Sequence, residues 1–91
     1  MAFFAAFLKM ADPEKSARFR PDHKAFLEAR EKEGKIFARG RFSDDAGGLV
    51  VYVADSLDEA MAIAQSDPYI VNGARTLEMH PWEMKVSPMQ S

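Results

Sequence analysis

Two stretches of this chain are apolar at alternate positions on both sides of an extended backbone. In residues 2–8, Phe3, Ala5 and Phe7 form one set and Phe4, Ala6 and Leu8 the other. In residues 49–54, Leu49, Val51 and Val53 alternate with Val50, Tyr52 and Ala54. A strand with one wet face alternates apolar and polar side chains, whereas a strand apolar on both faces needs cover on both. Asp12-Pro13 breaks the first stretch.

The segments between them read as helices and further strands. Residues 13–20 form a polar turn or short helix, and Pro21 disfavours helical backbone at Arg20 while suiting the first turn of a new helix. That helix runs to about Glu33 and stops at Gly34, with His23, Phe26, Leu27 and Arg30 as its inward stripe. Lys24, Glu28, Glu31 and Lys32 form its wet side. Residues 35–42 and 49–54 pair as a hairpin across the Ser43–Gly48 loop. Ser56-Leu57-Asp58-Glu59 is a capping box that opens a second helix carrying Ala60, Met61, Ile63 and Ala64. It ends before Asp67-Pro68, and a turn or single helical turn follows to Asn72-Gly73. Residues 75–82 alternate Leu77 and Met79 against Thr76, Glu78 and His80, as a fourth strand does. The tail after Trp82 has little pattern and is read as frayed or lying on a partner.

The order β-α-β-β-α-β in 91 residues predicts a single α+β domain, residues 1–91, of ferredoxin-like type. Two helices would cover one face of a four-stranded antiparallel sheet. The other face would remain bare although strands one and three are apolar there, so a homodimer packed sheet to sheet is expected. A chain of this length buries only about 60–65 % of its unfolded surface, which favours a second subunit.

Composition narrows the function classes. The net charge is −2, without the basic patch of a dedicated nucleic-acid binder. Residues 49–54 also lack the basic-glycine-aromatic pattern of RNA-recognition sheets, so no nucleic-acid partner is expected. There is no cysteine, which removes thiolate chemistry and cysteine metal sites and fits the cytoplasm. The apolar start lacks a preceding positive residue, stops at Lys9 and falls far short of the ~20 residues of a membrane span. No membrane association is expected. His80 and Glu78 alone do not make a metal site, and neither a nucleophile elbow nor a glycine-rich phosphate loop is present.

Several fragments in this order resemble the YCII-related (YciI-like) family. They are Arg20-Pro21-Asp22-His23, Gly34, Arg39-Gly40, Glu59-Ala60, Asp67-Pro68-Tyr69 with Gly73, and the ending in Pro81-Trp82. Arg41 is a departure, because family members often carry proline after the glycine of strand two. The resemblance implies a ferredoxin-like dimeric α/β barrel with a cleft holding a His–Asp pair, mapped to His23 and Asp67. It implies a set of small enzymes, with a chlorinated-hydroquinone dehydrochlorinase as one member type.

Each candidate residue also has a plain structural explanation. Read in the first turn of its helix, His23 is either a core histidine with one hydrogen bond or a general base kept neutral by burial and the helix N-terminus. Asp67 either caps the turn after Asp-Pro or orients His23, and one carboxylate has acceptor sites for both. Arg18, Arg20 and Arg39 either form a solvated face paired with Glu14 or Glu28, or supply positive charge to the cleft. Tyr69 lines the pocket or packs on the second helix. Gly40 admits a ligand close to the backbone or eases a strand bend. The expected function is general acid/base chemistry by His23 and Asp67 on a small polar organic substrate, in a lyase- or isomerase-like step. Arg20, Arg39, Gly40 and Tyr69 would bind that substrate, without metal or cofactor. The alternative is a non-catalytic dimer that binds a small molecule in the same cleft.

Overall fold

The computed structural model describes residues 1–88. Strand β1 (Ala2–Met10) leads into helix α1 (Pro13–Lys32), strands β2 (Ile36–Arg41) and β3 (Gly47–Ala54), helix α2 (Leu57–Gln65), the single turn α3 (Pro68–Val71) and strand β4 (Arg75–Trp82). The strands form one antiparallel sheet in the order β2-β3-β1-β4. This is the expected ferredoxin-like α+β arrangement, with the long doubly apolar strands in its centre. The expectation for the tail after Trp82 falls partly on residues 89–91, which lie outside the described residues.

Register sorts the side chains. Phe4 pairs with Tyr52, Ala6 with Val50 and Leu8 with Gly48 on the helix side. There they meet Leu27 of α1, Ala60 and Ala64 of α2 and Tyr69 of α3 in one buried cluster. Alanines at the α2 contact let that helix lie close to the sheet, and burial of Leu27 contributes about 2 kcal/mol. The opposite face carries Phe3, Ala5 and Phe7 against Val53, Val51 and Leu49. Phe3 meets Phe37 edge to face at 5.3 Å, and Phe7 meets Phe42 at 5.8 Å. Among the described residues no helix covers this side.

Helix α1 departs from the sequence expectation. It is continuous from Pro13 to Lys32 and passes through Pro21 instead of starting there. Asp12 caps it, its carboxylate accepting from Lys15 N at 3.1 Å. An internal proline costs about 3 kcal/mol. Pro21 lies on the exposed side, while Ser16, Phe19, His23, Phe26 and Leu27 form a less exposed stripe on both sides of it. Burial along the whole stripe opposes the break.

Strand β2 contains a bulge between Ile36 and Ala38. Ile36 lies opposite Tyr52, but Arg39 lies opposite Val50 and Arg41 opposite Gly48, all on the helix side. An unbroken two-residue alternation would send Arg39 and Arg41 to the side opposite Ile36. The bulge therefore delivers both arginines to the face where α1 lies.

Gly47, which the sequence places in the loop, belongs to β3. Its φ is +134° and a Cβ there would collide with the carbonyl oxygen of Leu8. Gly47→Ala is expected to lose at least about 2 kcal/mol in urea unfolding, because strain and collision act together. Gly34→Ala, with φ +74° but open space around the Cβ, should lose only about 1 kcal/mol. Equal losses at the two sites would contradict this packing.

Candidate active site

Asp67 ends the connection from α2 and caps α3. Its Oδ1 accepts from the backbone N–H of Tyr69 at 2.9 Å, and its backbone carbonyl accepts from Ile70 N at 2.8 Å. The same Oδ1 lies 2.8 Å from Nδ1 of His23, 44 positions earlier in the chain. Capping and pairing are thus simultaneous and use one oxygen. Asp67 is fully buried, and its Oδ2 has no hydrogen-bond partner among the described residues.

His23 lies in the middle of α1, since the helix begins at Pro13 and not at Pro21. The helix N-terminus therefore plays no part in its electrostatics, and its partner is the Asp67 carboxyl group. The imidazole stacks on the Tyr69 ring with centroids 3.9 Å apart and planes 16° apart. Its side chain is 12 % exposed. Nε2 makes no hydrogen bond among the described residues.

A cavity of about 190 Å³ opens beside this pair, between α1 and the β2–β3 half of the sheet. His23, Arg20, Lys24 and Leu27 line it from α1. Arg39, Gly40 and Arg41 line it from β2, Gly48 and Val50 from β3, Tyr69 from α3 and Arg75 from β4. Among the described residues five cationic side chains and no carboxylate face it, so a chain of net charge −2 carries a strongly positive cleft.

All six residues expected at the site, His23, Asp67, Arg20, Arg39, Gly40 and Tyr69, lie in this cavity or directly behind it. Arg18 does not line it. Arg39 is held by Glu31, not by Glu14 or Glu28, through a forked pair of 3.0 and 3.2 Å that ties β2 to α1. That hydrogen bond keeps the guanidinium pKa above its ordinary value. Gly40 borders the cavity with its backbone, and a Cβ there would meet nothing within 4 Å. Lys24, Arg41 and Arg75 are additional. Arg75 was legible in principle: it shares the inward parity of Leu77 and Met79, where a cation is out of place. His80 and Glu78 pair at 3.1 Å on the exposed side of β4, and no cluster of three potential metal ligands exists among the described residues. No helix among them is long and apolar enough to cross a membrane.

The sequence profile of the YCII-related domain matches residues 2–83. The chain belongs to the YCII-related domain family. The uncharacterised protein YjpA of Bacillus subtilis (strain 168) is 35 % identical over 75 residues, covering 78 % of this chain and 88 % of that protein. Among solved structures, 5-chloro-2-hydroxyhydroquinone dehydrochlorinase (TftG) from Burkholderia phenoliruptrix AC1100, in complex with 2,5-dihydroxybenzoquinone, superposes with a TM-score of 0.77. That match covers 91 % of this chain and 95 % of the other at 21 % identity, a likeness of fold. The YCII-related fold here thus places its buried His–Asp pair at the wall of a cationic cleft.

Beneath the pair, the hydroxyl of Tyr52 is buried and has no hydrogen-bond partner among the described residues. Burial, reinforced by the charge of Asp67 and opposed by Arg30, pushes its pKa far above the ordinary tyrosine value. A native pKa above the unfolded one gives stability that is complete below about pH 10 and lost as pH rises further. Tyr52→Phe should therefore lessen the alkaline loss of stability, and change stability at pH 7 by less than about 1 kcal/mol. Urea unfolding at pH 7 and pH 11 checks this. A loss above about 2 kcal/mol at pH 7 would show that the hydroxyl has a native partner.

Proposed function

We propose that this chain is a cytoplasmic acid–base enzyme that moves a proton on a small oxygenated organic substrate, in an elimination or isomerisation step. The observation that carries this is the 2.8 Å contact between His23 Nδ1 and Asp67 Oδ1 at the wall of a cationic cavity. An ionised carboxylate only accepts hydrogen bonds, so it holds the proton on Nδ1 and leaves the Nε2 lone pair free. Nε2 takes the substrate proton, and Asp67 stabilises the imidazolium that forms. The electron pair left behind expels a leaving group or shifts a double bond. Arginines around the cleft stabilise the negative charge that develops on substrate oxygen. His23, Asp67 and the arginines provide these steps without a cofactor.

The cavity size supports a one-ring substrate. A cavity of about 150 Å³ accommodates benzene, and this one measures about 190 Å³. The fold neighbour's name and bound molecule, a chlorinated hydroxyhydroquinone and a dihydroxyquinone, make hydroxylated rings the first compounds to assay. Beginning with 5-chloro-2-hydroxyhydroquinone, halide release and ring absorbance report turnover. On a substrate so found, His23→Ala should lower kcat by about 10²–10⁴-fold, with Asp67→Asn reducing it as well. Full turnover in both variants would refute the mechanism. Ligand binding without turnover across the panel would favour the non-catalytic binding dimer.

The same proposal includes a homodimer through the open sheet face. Phe3, Phe7, Phe37, Phe42 and Trp82 gather on that face, with Phe37 50 % and Trp82 44 % exposed. Exposed aromatic side chains gathered on one face mark an interface. Light scattering of the wild-type chain at micromolar concentration should give twice the chain mass, and Phe37→Asp should give the monomer. A monomeric wild type would refute sheet-to-sheet pairing.

A further inference from the structure

Arg75 is a buried cation without an anion. It is 8 % exposed, and no carboxylate lies within ion-pairing distance of it among the described residues. Fully buried arginines are nearly always paired, because desolvating an unpaired charge is expensive. Here the hydrogen bonds of the guanidinium go only to neutral groups. Nε donates to Ser16 Oγ at 3.1 Å, and Nη1 lies 3.5 Å from the carbonyl oxygen of Leu8. The central carbon of the guanidinium lies over the Tyr69 ring, 4.4 Å from its centroid. Nη2 has no hydrogen-bond partner among the described residues.

Its surroundings sharpen the imbalance. Burial, together with the charge of Arg20, pulls the Arg75 pKa below its ordinary value, against the opposing influence of Tyr69 and Asp67. Ser16 lies on α1, where its hydroxyl reaches the Ala74 carbonyl at 3.3 Å and Met10 Sδ at 3.2 Å, leaving an oxygen lone pair for Arg75. The guanidinium is therefore fixed at a buried part of the cavity wall. His23 stacks on the Tyr69 ring at 3.9 Å, and one face of that ring has no room for both groups. Arg75 and His23 thus lie on opposite faces of Tyr69.

We propose that the cavity takes a planar, one-ring organic anion and that Arg75 is its inner anchor. Carboxylate or phenolate oxygens of the ligand supply the charge that the protein withholds. Arg20, Lys24 and Arg41 at the same cavity draw the anion in, while Arg75 sets where its charged end stops. This rests on the reading of the cleft as the substrate site and adds the ligand's charge, its shape and the residue that reads it. It also explains the absence of carboxylate from the cavity wall, since an acidic neighbour would compete with the ligand for the guanidinium.

Benzoate and benzamide are matched in shape and differ in charge, so they test the proposal on the full-length chain by calorimetry or NMR titration. Benzoate should bind at least about tenfold more tightly than benzamide, as expected when a charge-assisted bond replaces a neutral one. Arg75→Met should abolish that preference, and Arg75→Lys should restore part of it. In the wild-type chain, bound benzoate should show NOEs to the Tyr69 ring, a readout that needs no variant to fold. Equal affinity for the two probes would overturn the proposal. So would no saturable benzoate binding at tens of millimolar, NOEs confined to the cavity mouth, or a preference that survives Arg75→Met. A charge preference in a chain without turnover would remove only the catalytic reading, and His23-dependent turnover without it would remove only the anion anchor.

Discussion

A carboxylate shut away from water has to be answered inside the protein, and the way Asp67 is answered organises this molecule. One oxygen receives the Tyr69 N–H that starts α3 and also meets the imidazole of α1. Two parts of the chain separated by most of the hairpin and α2 are joined at that atom. The joint fixes the His23 ring, and stacking on Tyr69 fixes its plane. The cleft beside it is a consequence of how α1 is held over the sheet, with the Arg39–Glu31 fork as the second tie.

The sheet imposes the other constraint. Strands β1 and β3 bury one row of side chains under the helices and leave aromatic rings on the opposite row. Chemistry and association are thereby separated onto opposite faces. The helix side holds the polar pair and its cationic cleft, and the bare side offers an apolar surface. The β2 bulge connects the two sides. Phe37 reaches Phe3 on the bare face, while Arg39 and Arg41 turn toward α1.

Much of this was legible in the residues. Doubly apolar strands, the Ser56–Glu59 capping box and the alternation through Leu77 and Met79 establish the element order, and β4 begins and ends where its pattern does. The pairing of His23 with Asp67 was legible only through resemblance to a family, because each residue has a sufficient local explanation and nothing local joins positions 44 apart. Other features were hidden for physical reasons. Pro21 is a strong local break signal that a long buried stripe overrides, so the helix start and the electrostatics of His23 were misplaced together. A bulge leaves no clear mark in composition, and the helix-side placement of Arg39 and Arg41 depends on it. Arg75 stood on an inward parity, but its significance lies in the lack of a counter-ion, which only three dimensions reveal.

The central claim is that Asp67 holds the proton on Nδ1 of His23 and leaves Nε2 free toward the cationic cleft. The most direct measurement is the tautomer of that ring, read from long-range ¹H–¹⁵N correlations of the ¹⁵N-labelled protein at a pH where His23 is neutral. The account predicts a protonated Nδ1 and an unprotonated Nε2, with the preference lost in Asp67→Ala. A neutral His23 protonated on Nε2 in the wild-type protein would contradict it.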